Sequence, residues 1–540
     1  MGNKMFKSKF ISQNILALLR GGQNGPKNSS VVIDLFSKSH ANTLKTHRLE
    51  RSVKTEMAKL KNVFSRIERG RQVQIVACPS ISLKREDVEN IKGIDFYEMR
   101  SLWQILYATK ENINVLYLSS NPVETENVKH LLSCVGVTDE IKKRIQFFDL
   151  CDSQHQGPLS EKVMKSDKAL QAIRNSIIRN ASFLMPFTYS ESEKKLAESL
   201  GIPVFGCHPD LHYWQTKSGN KVVFNRAQIP HPDGQEDLKS KEDILFALMN
   251  TWRRNPEVQI FLVKLDSGVS GEGNAKIQFD TAFETFESWT LSEKLSYLES
   301  KLEQMKFQNQ SITLESFLER FRAGGIVEVF LSGEDFYSPS AQGYITPRSE
   351  VRLLSTHNQI LDESGMKYLG CVFPAGNDIR DSLSTYTKKI GQELAKEGII
   401  GFFSVDFIVY KRDGKRHIKV IEVNIRQGGT THPYQTTKLM TESKYDEDQG
   451  VLVDKNGRAV YYNANDNFCR DEFKGKCPGD LLSYLSKHNI IFNKEKSSGA
   501  VFHMLNSFGV YGKLGYTVIG GSKDEVNRIQ RDLEELLNQY

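Results

Sequence analysis

Residues 401–431, GFFSVDFIVYKRDGKRHIKVIEVNIRQGGTT, leave this chain few choices of local structure. Two runs rich in β-branched and aromatic residues, 402–410 and 417–424, flank Asp413-Gly414. Asp and Gly tolerate the positive φ of tight turns, so this pair between strand-like runs predicts a β-hairpin. A three-residue loop sets Asp406 opposite Glu422. Side chains alternate along a strand, so Glu422 and Asn424 share a face, and Asp406 joins them there. That face offers two carboxylates and an amide, all oxygen donors, and hard cations such as Mg²⁺ take oxygen ligands. A hairpin with a polar, solvated face explains the same alternation. An acid inside the apolar run FSVDFIV fits that explanation less well, because an unpaired buried charge is costly.

At 540 residues the chain exceeds what one hydrophobic core usually supports, which predicts two to four domains. It is 39% hydrophobic and 26% charged, with a mean hydropathy of −0.43. No apolar run approaches the ~18 residues needed to span a bilayer, and the start lacks a signal-peptide core. Met1-Gly2 would suit myristoylation, but Phe6 stands where Ser or Thr is preferred. Seven scattered cysteines without a CxxC pair fit reduced thiols better than a disulfide or zinc framework. These features predict a cytoplasmic protein without a transmembrane segment.

Charge is uneven. Residues 1–71 hold fifteen Lys/Arg against four acids, +11, so the total of +6 leaves −5 for the remainder. Such a basic arm suits an anionic partner, either nucleic acid or a membrane surface. A solvated leader or an exposed helix accounts for it as well, and no nucleic-acid-binding motif accompanies it.

From residue 72 short apolar strands alternate with helices: QVQIVACP, INVLYLSS (112–119), RIQFFDLC (144–151), ASFLMPF (181–187) and IPVFGC (202–207). That rhythm predicts a parallel α/β sheet. Near residue 208 it changes. Lys217 and Lys221 stand four apart before a helix-length stretch and Ile-Pro-His-Pro, a spacing that usually marks a solvated helix face. Lys264 ends the strand-like IFLVKL, and a loop with Gly268, Ser270, Gly271 and Gly273 follows. Backbone N–H groups unobstructed by side chains suit a phosphate, and a flexible hairpin tip has the same composition. Glu328 lies in the next strand-like run, GGIVEVFLSGEDFY (324–337). A helix at 382–397 then leads into the hairpin. The polar stretch 441–475 reads as an insertion or mobile loop, and a strand–strand–helix tail closes the chain.

In this order the residues resemble the ATP-grasp superfamily of carboxylate–amine ligases, and are similar in particular to the pheganomycin-type peptide ligases. The resemblance spans residues 72–540 and rests on five ordered elements, each weak alone. Residues 1–71, a basic and partly helical leader, lie outside it; it implies a parallel α/β pre-grasp domain over 72–207 and an ATP-grasp domain over 208–440. In that domain two α+β subdomains clasp ATP, and the polar insertion plus a small C-terminal α/β domain fill 441–540. It further implies that Lys217 and Lys264 meet nucleotide phosphates under the loop of Gly268, Ser270, Gly271 and Gly273. Glu328, Val329 and Leu331 would form the adenine strand, with Asp335 or Glu334 on the ribose. Asp406, Glu422 and Asn424 would hold two Mg²⁺ ions, or Mn²⁺ in their place, and Arg426 would lie over the reacting carboxylate. Ser404, two before the metal aspartate, departs from relatives that carry arginine there, which shifts anion neutralisation onto Arg426 and the lysines.

The reaction so implied is ATP- and Mg-dependent ligation of a carboxylate to an amine through an acylphosphate. Amino acids, peptides or protein groups would be the substrates. His432, in a His-Pro turn, is either a proton acceptor for the amine or structural. A phosphotransferase on the same fold, or a non-catalytic ATP-binding scaffold, are the alternatives.

Overall fold

The computed structural model describes residues 51–82, 92–152, 157–268, 273–309, 311–362 and 368–540, and residues 49–540 form one unit. The basic leader expected over 1–71 therefore lies outside the described residues up to 50. Its remainder is helix α1 (Arg51–Glu68), whose Val53, Leu60 and Val63 are buried. Phe64 of α1 packs against Phe183 and Phe205, at centroid distances of 5.8 and 5.2 Å. This basic helix thus covers a sheet.

That sheet is parallel and runs β3-β2-β1-β4, from β1 (Val73–Cys78), β2 (Ile113–Ser119), β3 (Ile145–Asp149) and β4 (Ser182–Pro186). All six residues of β1 are buried, as expected of a parallel strand covered on both faces. A 3₁₀ helix over Ile94–Thr109 joins β1 to β2. Strand order reverses beside β1, so the chain leaving β4 emerges at the edge where open sheets place ligands.

The second sheet, order β5-β9-β6-β7-β8, is antiparallel: β5 (Gly234–Leu238), β6 (Ile260–Leu265), β7 (Asn274–Gln278), β8 (Lys306–Phe307) and β9 (Gly325–Val329). Its outer face is sealed by α3 (Lys241–Arg254), whose Ile244, Leu248 and Trp252 enter an apolar core with Phe261 and Phe279. Helix α2 (Lys217–Ala227) precedes β5.

The third sheet has eleven strands. They are β10 (Glu334–Tyr337), β11 (Pro339–Ile345), β12 (Val351–Leu361), β13 (Tyr368–Phe373), β14 (Gly401–Arg412), β15 (Lys415–Asn424), β16 (Lys444–Asp446), β17 (Val451–Val453), β18 (Ala459–Cys469), β19 (Gly499–His503) and β20 (Lys513–Gly520). Its path is β10-β14-β11-β12-β13-β18-β17-β16, with β15 on β14, β20 on β18 and β19 on β20. The fold is thus a parallel α/β sheet followed by two antiparallel α+β sheets, the class expected from the sequence. Among the described residues no helix is long and apolar enough to cross a membrane.

Two expectations change. The hairpin turn has two residues, not three: Arg412 pairs with Lys415, and Asp413 and Gly414 take φ of 52° and 70°. That register would set Asp406 against Ile421. A bulge between Asp406 and Phe407 shifts it by one, so Asp406 meets Glu422 after all. The stretch 441–475 is not a loop but holds β16, β17 and β18, with β18 pairing β13 and β20. Its polarity misled because its most buried acid, Asp466, is matched by partners from distant segments.

Candidate active site

The hairpin brings the three oxygen donors together. Asn424 Nδ2 donates to Asp406 Oδ2 at 3.1 Å, and Gln359 Nε2 to Asp406 Oδ1 at 2.7 Å. Gln359 lies on β12, in the HNQIL stretch, and sequence reasoning did not find it because its partner is 47 residues away. Burial, and then the Glu422 charge across the ladder, push the Asp406 carboxyl up to about 7. Lys217 Nζ reaches Glu422 Oε1 at 3.5 Å. A buried carboxyl that resists ionising, with an amide hydrogen-bonded to it and a second carboxylate across the ladder, is a donor set that a divalent cation would relieve. Mg²⁺ fits these residues on that ground.

A second charged cluster lies at the sheet of β9. Glu328, 3% exposed, is held by Lys264 Nζ at 2.5 Å and by Lys221 Nζ at 3.2 Å. Burial alone would raise its carboxyl. The two ammonium groups outweigh it and hold it at about 2. Lys221, at 3% exposure, is no solvated surface residue; it also donates to Pro232 O at 2.8 Å. Spacing on α2 explains both lysines. Residues four apart share a helix face, and here Lys217 reaches the hairpin while Lys221 reaches β9. The helix is fixed for this role. Asn220 Oδ1 accepts from Val423 N at 2.6 Å, and Asp266 caps its start through Ser218 N and Oγ at 2.8 and 2.7 Å.

The strand expected to meet adenine has its own backbone partners. Val329 N–H donates to Asp233 O and Phe330 N–H to Ile260 O, so Leu331 is the first residue here whose N–H has no backbone partner among the described residues. Asp335 stands apart: it is exposed, with φ of 49°, and its carboxylate is held by Lys411 Nζ at 2.6 Å. Glu334 is exposed too and pairs in register with Lys411. Gly268 and Gly273 close the base of the β6–β7 loop, where a Cβ on Gly268 would lie 3.3 Å from Gly273 N. Ser270 and Gly271 lie outside the described residues.

Arg426 Nη2 donates to Asn424 Oδ1 at 3.2 Å and Nη1 to Gln427 O at 3.0 Å. Its guanidinium lies over Phe187 at 5.9 Å, and Gln427 Nε2 donates to Pro186 O at 2.8 Å. The end of the hairpin is therefore seated on the carboxyl end of β4. Burial first, and then the neighbouring Arg100 charge, oppose the Arg426 charge; Glu422 and Asp406 favour it.

His432 begins a helix, α4 (Thr431–Met440), one loop beyond Arg426. His432 Nε2 and His503 Nε2 lie 2.9 and 3.0 Å from Asp466 Oδ1 and 3.1 Å from each other. Three donors so close would suit a metal ion. Arg100 argues otherwise: its Nε–H points at His432 Nδ1 (3.3 Å), which leaves the proton on Nε2, and its Nη2 lies 2.6 Å from Asp466 Oδ2. The group is a hydrogen-bonded frame. Burial pushes His432 down to about 3, which makes it too weak a base to take a proton from an amine.

The chain is similar to known proteins along much of its length. Residues 210–315 and 288–448 match the family model for the IQCH-like ATP-grasp domain. The chain is 27% identical over 461 residues to an L-propargylglycine–L-glutamate ligase of Streptantibioticus cattleyicolor, covering 83% of this chain and 91% of the relative. It is 23% identical over 376 residues to IQ motif-containing protein H of Danio rerio, covering 62% of this chain and 36% of that longer protein. Among solved structures, the biotin carboxylase domain of Hydrogenobacter thermophilus 2-oxoglutarate carboxylase aligns at a TM-score of 0.49 and 14% identity, over 86% of this chain and 90% of that one. The family match takes in the second sheet and the hairpin of β14 and β15.

Proposed function

We propose that this chain is an ATP- and Mg-dependent ligase that joins a carboxylate to an amine through an acylphosphate. The observation that carries the reading is the convergence of Asp406, Glu422, Asn424 and Lys217 beside Arg426. The relative that covers most of this chain is named as a ligase of two amino acids, which supports amino acids or peptides as the substrate class. The order of charged residues supports kinship with the pheganomycin-type peptide ligases.

Asp406, Glu422 and Asn424 would hold Mg²⁺, which when bound neutralises charge on the transferring phosphoryl group. Lys217 and Lys264 lie beside the two carboxylate clusters, where ATP phosphates would draw their ammonium groups away from Glu422 and Glu328. A substrate carboxylate oxygen attacks the γ-phosphorus; the new O–P bond forms as the bond to the β-bridging oxygen breaks, and ADP leaves. The amine nitrogen then attacks the acyl carbon, phosphate departs with the C–O bond pair, and the amine gives up a proton. Arg426 binds the carboxylate and the oxyanion that develops, which its planar fork suits.

The test incubates the protein with Mg·ATP and pooled amino acids and peptides. ADP should accumulate with a product whose mass is two substrates less water. A mass of one substrate plus phosphate would instead establish a phosphotransferase, and neither product with any pool would leave only an ATP-binding scaffold. Lys264→Ala should weaken ATP binding at least tenfold by calorimetry; unchanged affinity would remove the lysine from the phosphate site.

A further inference from the structure

We infer that Arg100 is a second carboxylate receptor beside Arg426, reading a carboxylate of an amino-acid substrate other than the one that reacts. The inference rests on the ligase reading above. Arg100 comes from the 3₁₀ helix of the parallel-sheet region, 326 residues before Arg426, so no motif joins the two.

Its guanidinium is committed along one edge only. Nε faces His432 Nδ1 and Nη2 faces Asp466 Oδ2, and Asp466 is braced by His432 and His503. An arginine has five N–H donors. Among the described residues Nε makes the hydrogen bond and Nη2 an ion pair, so Nη1 is uncommitted. The Arg100 side chain keeps 13% of its exposure where Asp466 keeps 6%. A fork clamped by a buried carboxylate is pre-organised for a planar anion.

The loop beside it is cut to fit. A Cβ on Gly429 would lie 3.0 Å from Arg100 Nη2 and 2.6 Å from Tyr368 Cε1, so only glycine lets the backbone run this close to the guanidinium. Gly429 is three residues after Arg426, and three residues span at most about 11 Å. Arg426 makes no ion pair with a carboxylate among the described residues; its fork holds only an amide and a carbonyl oxygen. Two guanidinium groups thus flank one short glycine loop. The reacting carboxylate takes Arg426, and the second takes Arg100. That second carboxylate belongs either to the acid substrate, as its other carboxyl, or to the amine substrate, as its α-carboxylate.

The experiment is calorimetric titration of L-glutamate, L-glutamine and L-glutamic acid α-amide into the full chain with Mg·ADP present. In the wild type at least one amide should bind tenfold or more weaker than L-glutamate, and which one it is names the carboxylate that is read. In Arg100→Met that discrimination should collapse to within twofold, while Mg·ADP affinity stays within twofold of wild type. Arg100→Lys keeps a charge on Asp466 but loses the fork, and should cut the discrimination at least threefold. It carries the test if the Met variant does not fold. Retained discrimination in either folded variant would overturn the role, as would wild-type affinities that are equal for all three probes. Turnover is read separately. Amide product without any Arg100 effect sinks this inference alone, whereas discrimination without amide product sinks the ligase reading and leaves the receptor standing.

Discussion

Asp406→Asn and Glu422→Gln should each cut ADP formation by about 10³-fold or more, while Asp406→Asn raises the melting temperature of the nucleotide-free protein at pH 7.5. The loss follows from removing one ligand of a cation worth several kcal/mol to the transferring phosphoryl group. The gain follows from linkage. The Asp406 carboxyl is pushed from an ordinary 3.8 to about 7 in the folded chain, by burial and then by Glu422. A carboxyl harder to ionise when folded takes up a proton on folding, so it costs stability progressively as pH rises from about 4 to about 7. Above that the cost is complete. The amide carries no such charge, and Gln359 can turn its own amide to meet it. Melting curves at pH 4.5 and 7.5 check the sign: the variant's advantage should appear at the higher pH and shrink at the lower. Equal turnover in both variants would remove the metal assignment.

Glu328→Gln should be the most destabilising single change in the site, by about 3–5 kcal/mol in urea unfolding. Two ammonium groups, at 2.5 and 3.2 Å from Glu328, would be left buried against a neutral amide. The pH dependence runs opposite to that of Asp406. Glu328 is held at about 2, below its ordinary 4.5, so its contribution is present above about 4.5 and lost as pH falls toward 2. Wild type should therefore lose stability over that window and the Gln variant should lose much less. A variant with wild-type stability at pH 7 would mean that the lysines find solvent without Glu328.

Much of this site could be read from residue order alone, and the reason is local. Asp406, Glu422 and Asn424 lie on two strands joined by a two-residue turn, so period-two alternation nearly fixes their geometry. Lys264 ends a strand before a glycine loop, which again is a local pattern. What stayed hidden depends on long-range packing. Lys221 reads as a surface residue until β9 brings Glu328 under it. Gln359 and Asp406 meet only because β12 and β14 flank β11. Arg100, Asp466 and His503 come from three segments whose only meeting place is the folded core, and periodicity carries no record of that. For Asp335 too, the sequence did not show the positive φ or the Lys411 partner that it has in the folded chain. The polar 441–475 stretch misled likewise, since composition does not distinguish a solvated loop from strands whose polar residues are matched across the sheet.

The bulge opposite Asp406 decides how this ribbon tolerates a change of length. Ile421 is the extra residue, so removing it would straighten the ladder and still leave Glu422 across from Asp406. Flattening the bulge with Ile421 kept would instead set Asp406 against Ile421 and send Glu422 and Asn424 to the face of the buried Val405.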